Sequence, residues 1–174
     1  MDGNYIVNSI GEADFSMTTF SFHGYTVRSS RREDLGLAER WIKADPEHRD
    51  TGLRGEFWLL QEAQAGIESF LVEDRFGPVL FFKTVMKSEE EAEIHLLFPP
   101  FPIPAGELAE RNCRIMNAML EIFPWIEKAL ALRKTKAVFF MSKSKSLIRF
   151  VEKRLGFVRD RVMDGEWKVV RSLI

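Results

Sequence analysis

Two residues that could exchange protons, Glu93 and His95, lie two positions apart in the sequence. Residues at this spacing on an extended strand share one face, so the carboxylate and the imidazole would lie side by side. Either group could act as a general base that removes a proton from an attacking amine. The alternative is structural, with Glu93 a solvated strand-end residue and His95 a hydrogen-bonded, partly buried one.

Three serines, Ser142, Ser144 and Ser146, follow the apolar run Lys136–Met141. One of these hydroxyls could donate a proton to a leaving group. Ser142 or Ser144 is more typical of a residue that caps the next helix. The cations near that helix favour a solvated helix face, although they could also bind a phosphate group of a ligand; they are Lys143, Lys145, Arg149 and Lys153.

No metal site and no thiol nucleophile are predicted. His23, His48 and His95 lack the spacing of metal ligands. The single cysteine, Cys113, has no visible histidine partner and falls in a predicted helix. One cysteine cannot form an intramolecular disulfide, which suits a reducing compartment, and we expect a cytoplasmic protein.

The composition is that of an ordinary globular domain. The 174 residues are 45% hydrophobic, and 25 Lys and Arg against 26 Asp and Glu give a formal net charge of -1. This balance predicts neither nucleic acid nor an anionic membrane as a partner. The chain contains no apolar run of the roughly 18 residues that a membrane-spanning helix needs, and its first residues do not resemble a secretory signal.

Strands and helices predicted from the sequence pattern must position these side chains. The first half begins with a strand at Phe20–Arg28 that Gly24 interrupts. A helix follows that begins at a capping box of Ser30 and Glu33, and then a second short helix at Glu56–Gln64. The strands after them are a hairpin of Ser69–Arg75 and Pro78–Met86 and a strand at Glu93–Phe98.

Prolines at positions 99, 100, 102 and 104 separate that strand from a long helical pattern that begins at Gly106. Pro124 should kink this helix or start a second one. Lys136–Met141 reads as a central strand buried on both faces. The next helix ends at Gly156 in a left-handed cap onto which Phe157 packs. Asp164–Gly165 then predicts a two-residue hairpin.

This order predicts one α/β domain with a central mixed sheet of about seven strands and helices on both faces. The strand–helix–strand crossover predicts parallel neighbours at the sheet centre. We expect residues 25–174 to form the domain and residues 1–24 to form an N-terminal arm or an added strand.

The element order resembles that of the GNAT superfamily of N-acetyltransferases. The segment Ser146–Phe157 is similar to a late helix of that family, which ends in Glu-Lys-Leu-Gly-Phe, although this chain has one residue more. A weaker likeness joins Phe70–Asp74 and Gly77–Val79 to the family's first hairpin. The resemblance covers about residues 25–173 and implies a single-domain GNAT-like fold.

The resemblance implies that acetyl-CoA binds where the strands Glu93–Phe98 and Lys136–Met141 splay apart. A loop with Gln or Arg, two residues, then Gly-x-Gly or Gly-x-Ala would bind the pyrophosphate through its backbone amides. Only Gly106 matches, because Ile103 replaces the Gln or Arg and Leu108 replaces the second small residue. The cofactor-binding residues implied are Leu97, Phe98, Ile103, Ala105, Gly106, Glu107, Leu108, Ser146 and Phe150.

The resemblance also implies catalytic roles. Glu93 or His95 would be the base, and backbone amides near Leu97 would stabilise the oxyanion. Relatives often use a tyrosine of the late helix as general acid, but the nearest aromatic residue here is Phe150, which has no proton to donate. One of the three serines that follow Met141 could donate this proton instead, and Ser142 is the candidate we name.

Two functions follow. The first is acetyl transfer from acetyl-CoA to an amine of a small molecule or a protein, by direct attack. The second is a GNAT-like binding or assembly module that has lost this chemistry, with a homodimer as one option. An unrelated α/β fold is a third reading, which non-adjacent strands Glu93–Phe98 and Lys136–Met141 would establish.

Overall fold

A mixed sheet organises the chain. The computed structural model describes residues 19–45, 48–50, 52, 54–59, 68–99 and 107–173. In these residues eight strands form one sheet in the order β1-β2-β3-β4-β5-β6-β8-β7. The strands are β1 (Thr19–Phe22), β2 (Tyr25–Ser29), β3 (Glu68–Asp74), β4 (Gly77–Met86), β5 (Glu91–Leu97), β6 (Ala137–Ser142), β7 (Val158–Met163) and β8 (Glu166–Ser172).

Three α-helices cover the two faces of the sheet. They are α1 (Leu35–Ala44), α2 (Leu108–Leu132) and α3 (Lys145–Leu155), and short 3-10 helices lie at Arg32–Asp34 and Gly55–Trp58. On one face, α1 and the second 3-10 helix pack on Leu71, Phe81 and Leu97. On the other, α2 and α3 pack on a larger apolar cluster. We call these the α1 face and the α2/α3 face.

The long helix α2 is held by an apolar stripe that repeats every three or four residues. Its buried members include Ile115, Met119, Ile122, Ile126 and Leu130. The prediction that Pro124 starts a second helix is wrong, because α2 continues from Leu108 to Leu132 through it. Proline removes one backbone hydrogen bond, and burial of Phe123 and Ile126 in the same turn of the helix outweighs that loss.

The predicted strand Phe20–Arg28 is a hairpin, β1 and β2. His23 and Gly24 form its turn with φ angles of 46° and 86°. Left-handed backbone is uncommon for a residue with a side chain, so His23 gave no signal of a turn in the sequence. This division raises the strand number from about seven to eight.

The start of α1 also differs from its prediction. The Ser30 hydroxyl lies 3.1 Å from the Ser69 hydroxyl of β3, and it is the Asp34 carboxylate that accepts a hydrogen bond from the Arg31 amide, at 2.7 Å. A 3-10 helix therefore precedes α1. The second predicted helix is a 3-10 helix at Gly55–Trp58, and residues 60–64 lie outside the described residues.

Both ends of α3 agree with the sequence pattern. Ser144 caps its start, since its hydroxyl accepts a hydrogen bond of 3.3 Å from the Leu147 amide. Gly156 ends it with a φ of 68°, and the Phe157 amide donates back to the Val151 carbonyl at 3.2 Å. Arg171 of β8 also donates a hydrogen bond to the Leu155 carbonyl oxygen, so β8 contacts the end of α3 at this cap.

The predicted fold class is confirmed. β5 and β6 are parallel neighbours, which excludes the reading in which these strands lie apart, and helices cover both faces. The boundary between residues 1–24 and 25–174 stays a prediction, because residues 1–18 lie outside the described residues.

Replacement of Gly156 by alanine tests the cap. An alanine here would have to adopt the left-handed φ of 68°, and its Cβ would lie 3.3 Å from the Arg171 guanidinium. We therefore expect Gly156→Ala to lower the free energy of unfolding by about 1–2 kcal/mol. Gly36→Ala, within α1, meets no atom closer than 3.9 Å and should raise it by about 0.5 kcal/mol. Urea denaturation of both variants measures the difference, and equal effects would contradict the role of the cap.

Candidate active site

β5 and β6 pair only at their beginnings. The parallel register joins Glu91 to Ala137, Ala92 to Val138 and Glu93 to Phe139, and it ends there. β5 continues to Leu97 beside β4, and β6 continues to Ser142 beside β8. The backbone edges of 94–97 and 140–142 are therefore not paired with each other, and we call the gap between these two edges the cleft.

Two helices begin beside the open end of this cleft. α3 begins at Lys145, directly after β6. α2 begins at Leu108, and its first turns are held close to β5 because Arg111 donates a hydrogen bond to the carbonyl oxygen of Pro99. A helix start presents unpaired amide groups and a partial positive charge. The cleft thus opens toward backbone donors.

The residues predicted to bind a cofactor fall on different parts of this cleft. Leu97 is buried on the α1 face, whereas Phe98 and Phe150 pack partly buried on the α2/α3 cluster. Ser146 is exposed in the first turn of α3, Glu107 is exposed before α2, and Leu108 is half-buried. Ile103, Ala105 and Gly106 lie outside the described residues.

Glu93 and His95 lie together, as their spacing predicts. The Nε2 atom of His95 is 3.3 Å from Oε2 of Glu93, and Nζ of Lys87 is 2.9 Å from the same oxygen. Burial alone would raise the pKa of Glu93, but hydrogen bonds from His95 and Lys87 outweigh it and lower the pKa to about 2. Glu93 is therefore an ionised carboxylate at neutral pH and a weak base.

An ionised Glu93 also determines which nitrogen of His95 carries a hydrogen. A carboxylate can only accept hydrogen bonds, so Nε2 of a neutral His95 holds the proton and Nδ1 holds the lone pair. The ring is fixed from another side by Phe57, whose centroid lies 5.2 Å away in an edge-to-face arrangement. His95 is thus the better placed of the two groups to accept a proton.

Ser142 does not share the face of Glu93 and His95. Side chains alternate along a strand, so Ser142 points to the same side as Val138 and Phe140, which belong to the α2/α3 cluster. Phe139 pairs with Glu93 and points the other way. The Ser142 oxygen accepts a 3.0 Å hydrogen bond from the Ser144 amide, and its own proton remains available to donate.

Three residues of this site are absent from the predictions made from the sequence: Lys83, Lys87 and Phe57. Lys83 is a charge inside the apolar run of β4 and is only 1% exposed, which is a signal that the pattern could have raised. Lys87 and Phe57 have no such signal, because sheet pairing and the fold of a loop bring them to the site.

In the described part of the chain, no group of three or more His, Cys, Asp or Glu residues could hold a metal ion. Among the same residues, no helix has the length and apolar character required to cross a bilayer.

The fold matches that of solved acetyltransferases. Aminoglycoside 6'-acetyltransferase type Ii superposes with a TM-score of 0.60 at 14% identity, over 85% of this chain and 97% of that protein. The ribosomal-protein-S18-alanine N-acetyltransferase of Escherichia coli gives 0.55 at 15% identity, over 86% and 94%. An uncharacterized protein of Bacillus halodurans gives 0.61 at 13% identity, over 91% of each.

No protein-family model and no curated protein sequence matches the chain. The structural likeness, at these identities, establishes a GNAT-like fold.

Substitution of Glu93 by glutamine tests the charge cluster. A carboxyl whose pKa is lowered by folding stabilises the protein above its ordinary pKa of 4.5 and loses that contribution as the pH falls toward about 2. We expect Glu93→Gln to lower the free energy of unfolding at neutral pH by on the order of 2 kcal/mol and to reduce the stability lost on acidification.

Urea denaturation at neutral pH and near pH 3 measures both effects. Glu90→Gln is the control, since Glu90 forms an exposed ion pair with Lys136 and should change stability by less than about 1 kcal/mol. An acid-induced loss in Glu93→Gln that equals that of the wild type would contradict the assignment.

Proposed function

We propose that the protein is an acyl-CoA-dependent N-acyltransferase that transfers the acetyl group of acetyl-CoA to an amine of a small molecule or a protein. The observation that carries the proposal is the cleft between β5 and β6 beyond Glu93 and Phe139. Structural neighbours with the same fold are named as acetyltransferases, one of them as an N-acetyltransferase, which supports this reaction class.

The cleft suits a linear arm that carries amides and a thioester. Its walls are strand edges, whose amide and carbonyl groups can bind an extended chain as a neighbouring strand would. Lys145 and Arg149 are exposed in the first turns of α3 and supply positive charge for phosphates. Glu107 and Glu110 are exposed at the start of α2 and place negative charge there, so we assign the phosphates to the α3 side.

Acetyl-CoA bound in this cleft would supply an activated acetyl thioester, and its acetyl group would pass to the amine with release of the CoA thiol. We assign His95 as the base, with Nδ1 accepting the proton that the amine loses. Glu93 holds the opposite nitrogen and stabilises the positive charge that His95 gains. Backbone amides of β5 near Leu97 are the donors proposed for the carbonyl oxygen.

The proton that the departing thiolate needs is assigned to the Ser142 hydroxyl, which passes its proton to the sulfur and regains one from solvent. Phe150 is half-buried in the apolar cluster and has no proton. Ser142 ends β6 at the cleft, and its oxygen is held by the Ser144 amide. Because Ser142 and His95 lie on opposite faces, acid and base would approach the reacting carbon from opposite sides of the sheet.

A binding module is the second candidate, and one observation favours it. Glu93 is bound by both Lys87 and His95, as a purely structural ion cluster would be. In that case the cleft could bind a ligand without any transfer.

Acetyl-CoA titration tests the proposal. We expect saturable binding by isothermal titration calorimetry and a rise in melting temperature. We expect His95→Asn to bind acetyl-CoA as the wild type does and to lose about 100-fold or more in amine-dependent thiol release. A panel of polyamines, aminoglycosides and peptide amines serves as acceptors.

His23→Asn is the matched control, because His23 lies on the β1–β2 turn beside Glu121 of α2 and asparagine tolerates its left-handed backbone. Its thiol release should equal that of the wild type. Absence of binding at millimolar acetyl-CoA would refute the acyltransferase proposal, and binding without turnover by any amine would leave the binding module.

A further inference from the structure

Lys83 is a charged residue at the centre of the sheet. It lies on β4, 1% exposed, on the same face as Phe81 and α1. Its neighbours in register are Ser69 on β3 and His95 on β5. The three polar residues form a row across three strands under the 3-10 helix Gly55–Trp58.

The ammonium group of Lys83 contacts Phe57 twice. Nζ donates a hydrogen bond to the Phe57 carbonyl oxygen and lies 3.8 Å from the centroid of the Phe57 ring. A cation over an aromatic face is attracted by the ring, more strongly when water is excluded. Lys83 therefore constrains both the backbone and the side chain of Phe57.

The 3-10 helix that carries Phe57 is also held from other sides. The Ser69 hydroxyl donates to the carbonyl oxygen of Trp58, and the Gly55 amide donates to Glu39 of α1 at 2.5 Å. A Cβ on Gly55 would lie 2.7 Å from Cδ1 of Leu35, so any larger residue at this position would displace the Leu35 side chain. These contacts hold the 3-10 helix, and the Phe57 ring lies edge-to-face with the His95 ring, with the two ring centroids 5.2 Å apart.

We infer that Lys83 is a positioning residue that acts through Phe57 to hold the imidazole of His95 in the orientation in which Nε2 faces Glu93. The inference builds on the proposed function, in which His95 is the base. A methionine would fill the space of the lysine stem without burying a charge, and burial of a charge is costly. The ammonium, rather than the volume of the side chain, is thus the feature that needs a role.

The charged groups of the described residues around His95 are few. Glu93 contacts its Nε2, Lys87 contacts Glu93, and Lys83 reaches it through Phe57. Glu91 faces the same side two residues before Glu93 but pairs with Lys168 of β8 at 2.8 Å. Lys87 thus acts on His95 through a carboxylate, whereas Lys83 acts on it through the aromatic ring of Phe57.

Long-range ¹H–¹⁵N NMR spectra of the imidazoles test the inference in the whole protein. The chain has 3 histidines, and His95→Asn assigns the signal. In the wild type we expect His95 to show a single neutral tautomer, protonated at Nε2. Lys83→Met should shift its ring protons and populate the second tautomer, and Lys83→Arg, which keeps the charge, should restore the wild-type pattern in part.

Turnover gives an independent reading. In Lys83→Met we expect kcat to fall about tenfold or more, since misplacement of a catalytic group is costly, while KM for acetyl-CoA stays unchanged. Phe57→Leu should reproduce the NMR shift if Lys83→Met does not fold.

Lys168→Met is the matched control. Lys168 is also buried, at 7% exposure, and its Nζ lies 4.0 Å from the ring of Phe139, but it contacts neither Phe57 nor His95 in the described residues. Its His95 signals should equal those of the wild type. Unchanged His95 signals in a folded Lys83→Met variant, or in Phe57→Leu, would overturn the inference about Lys83. Failure of the wild-type protein to bind acetyl-CoA would refute the proposed function alone.

Discussion

The end of the β5–β6 ladder at Glu93 and Phe139 is the constraint on which the rest of the structure depends. Beyond this pair, β5 is paired only with β4 and β6 only with β8. The sheet is therefore continuous where Glu91–Glu93 pair with Ala137–Phe139 and divides into two halves after them. Each half then sends its chain into a helix, α2 or α3, on the same face. The cleft is therefore a consequence of strand pairing, and backbone groups rather than particular side chains form its walls.

The two faces of the sheet differ in chemistry where they meet this cleft. The α2/α3 face is apolar around β5 and β6, with Ile94 and Phe140 in its core. The α1 face carries buried or half-buried charges, each in contact with a partner: Lys83 with Phe57, Lys168 with Glu91, and Glu93 with Lys87 and His95. Buried charges are tolerated when they are paired and hydrogen-bonded, so a proton acceptor can be kept at the sheet centre without loss of the fold.

Local sequence patterns predicted most of the fold. The left-handed Gly156 and the Asp164–Gly165 turn were predictable because few other residues adopt those angles, and the spacing of Glu93 and His95 predicted their contact. Features that depend on distant partners were not predictable. Asp34 accepts from Arg31 and also binds Arg28 of β2, which no capping pattern includes. Phe57 meets His95 only through tertiary packing, and the degenerate loop at 100–106 lies outside the described residues.

The most direct measurement of the central claim is an amide ¹H–¹⁵N chemical-shift map of the protein during titration with acetyl-CoA. If the parted strands hold the thioester arm, the largest changes will fall at residues 94–97 and 140–142 and in the first turn of α3, with little change in β1 and β2. Changes that spare both strand edges, or that concentrate elsewhere in the sheet, would contradict the account.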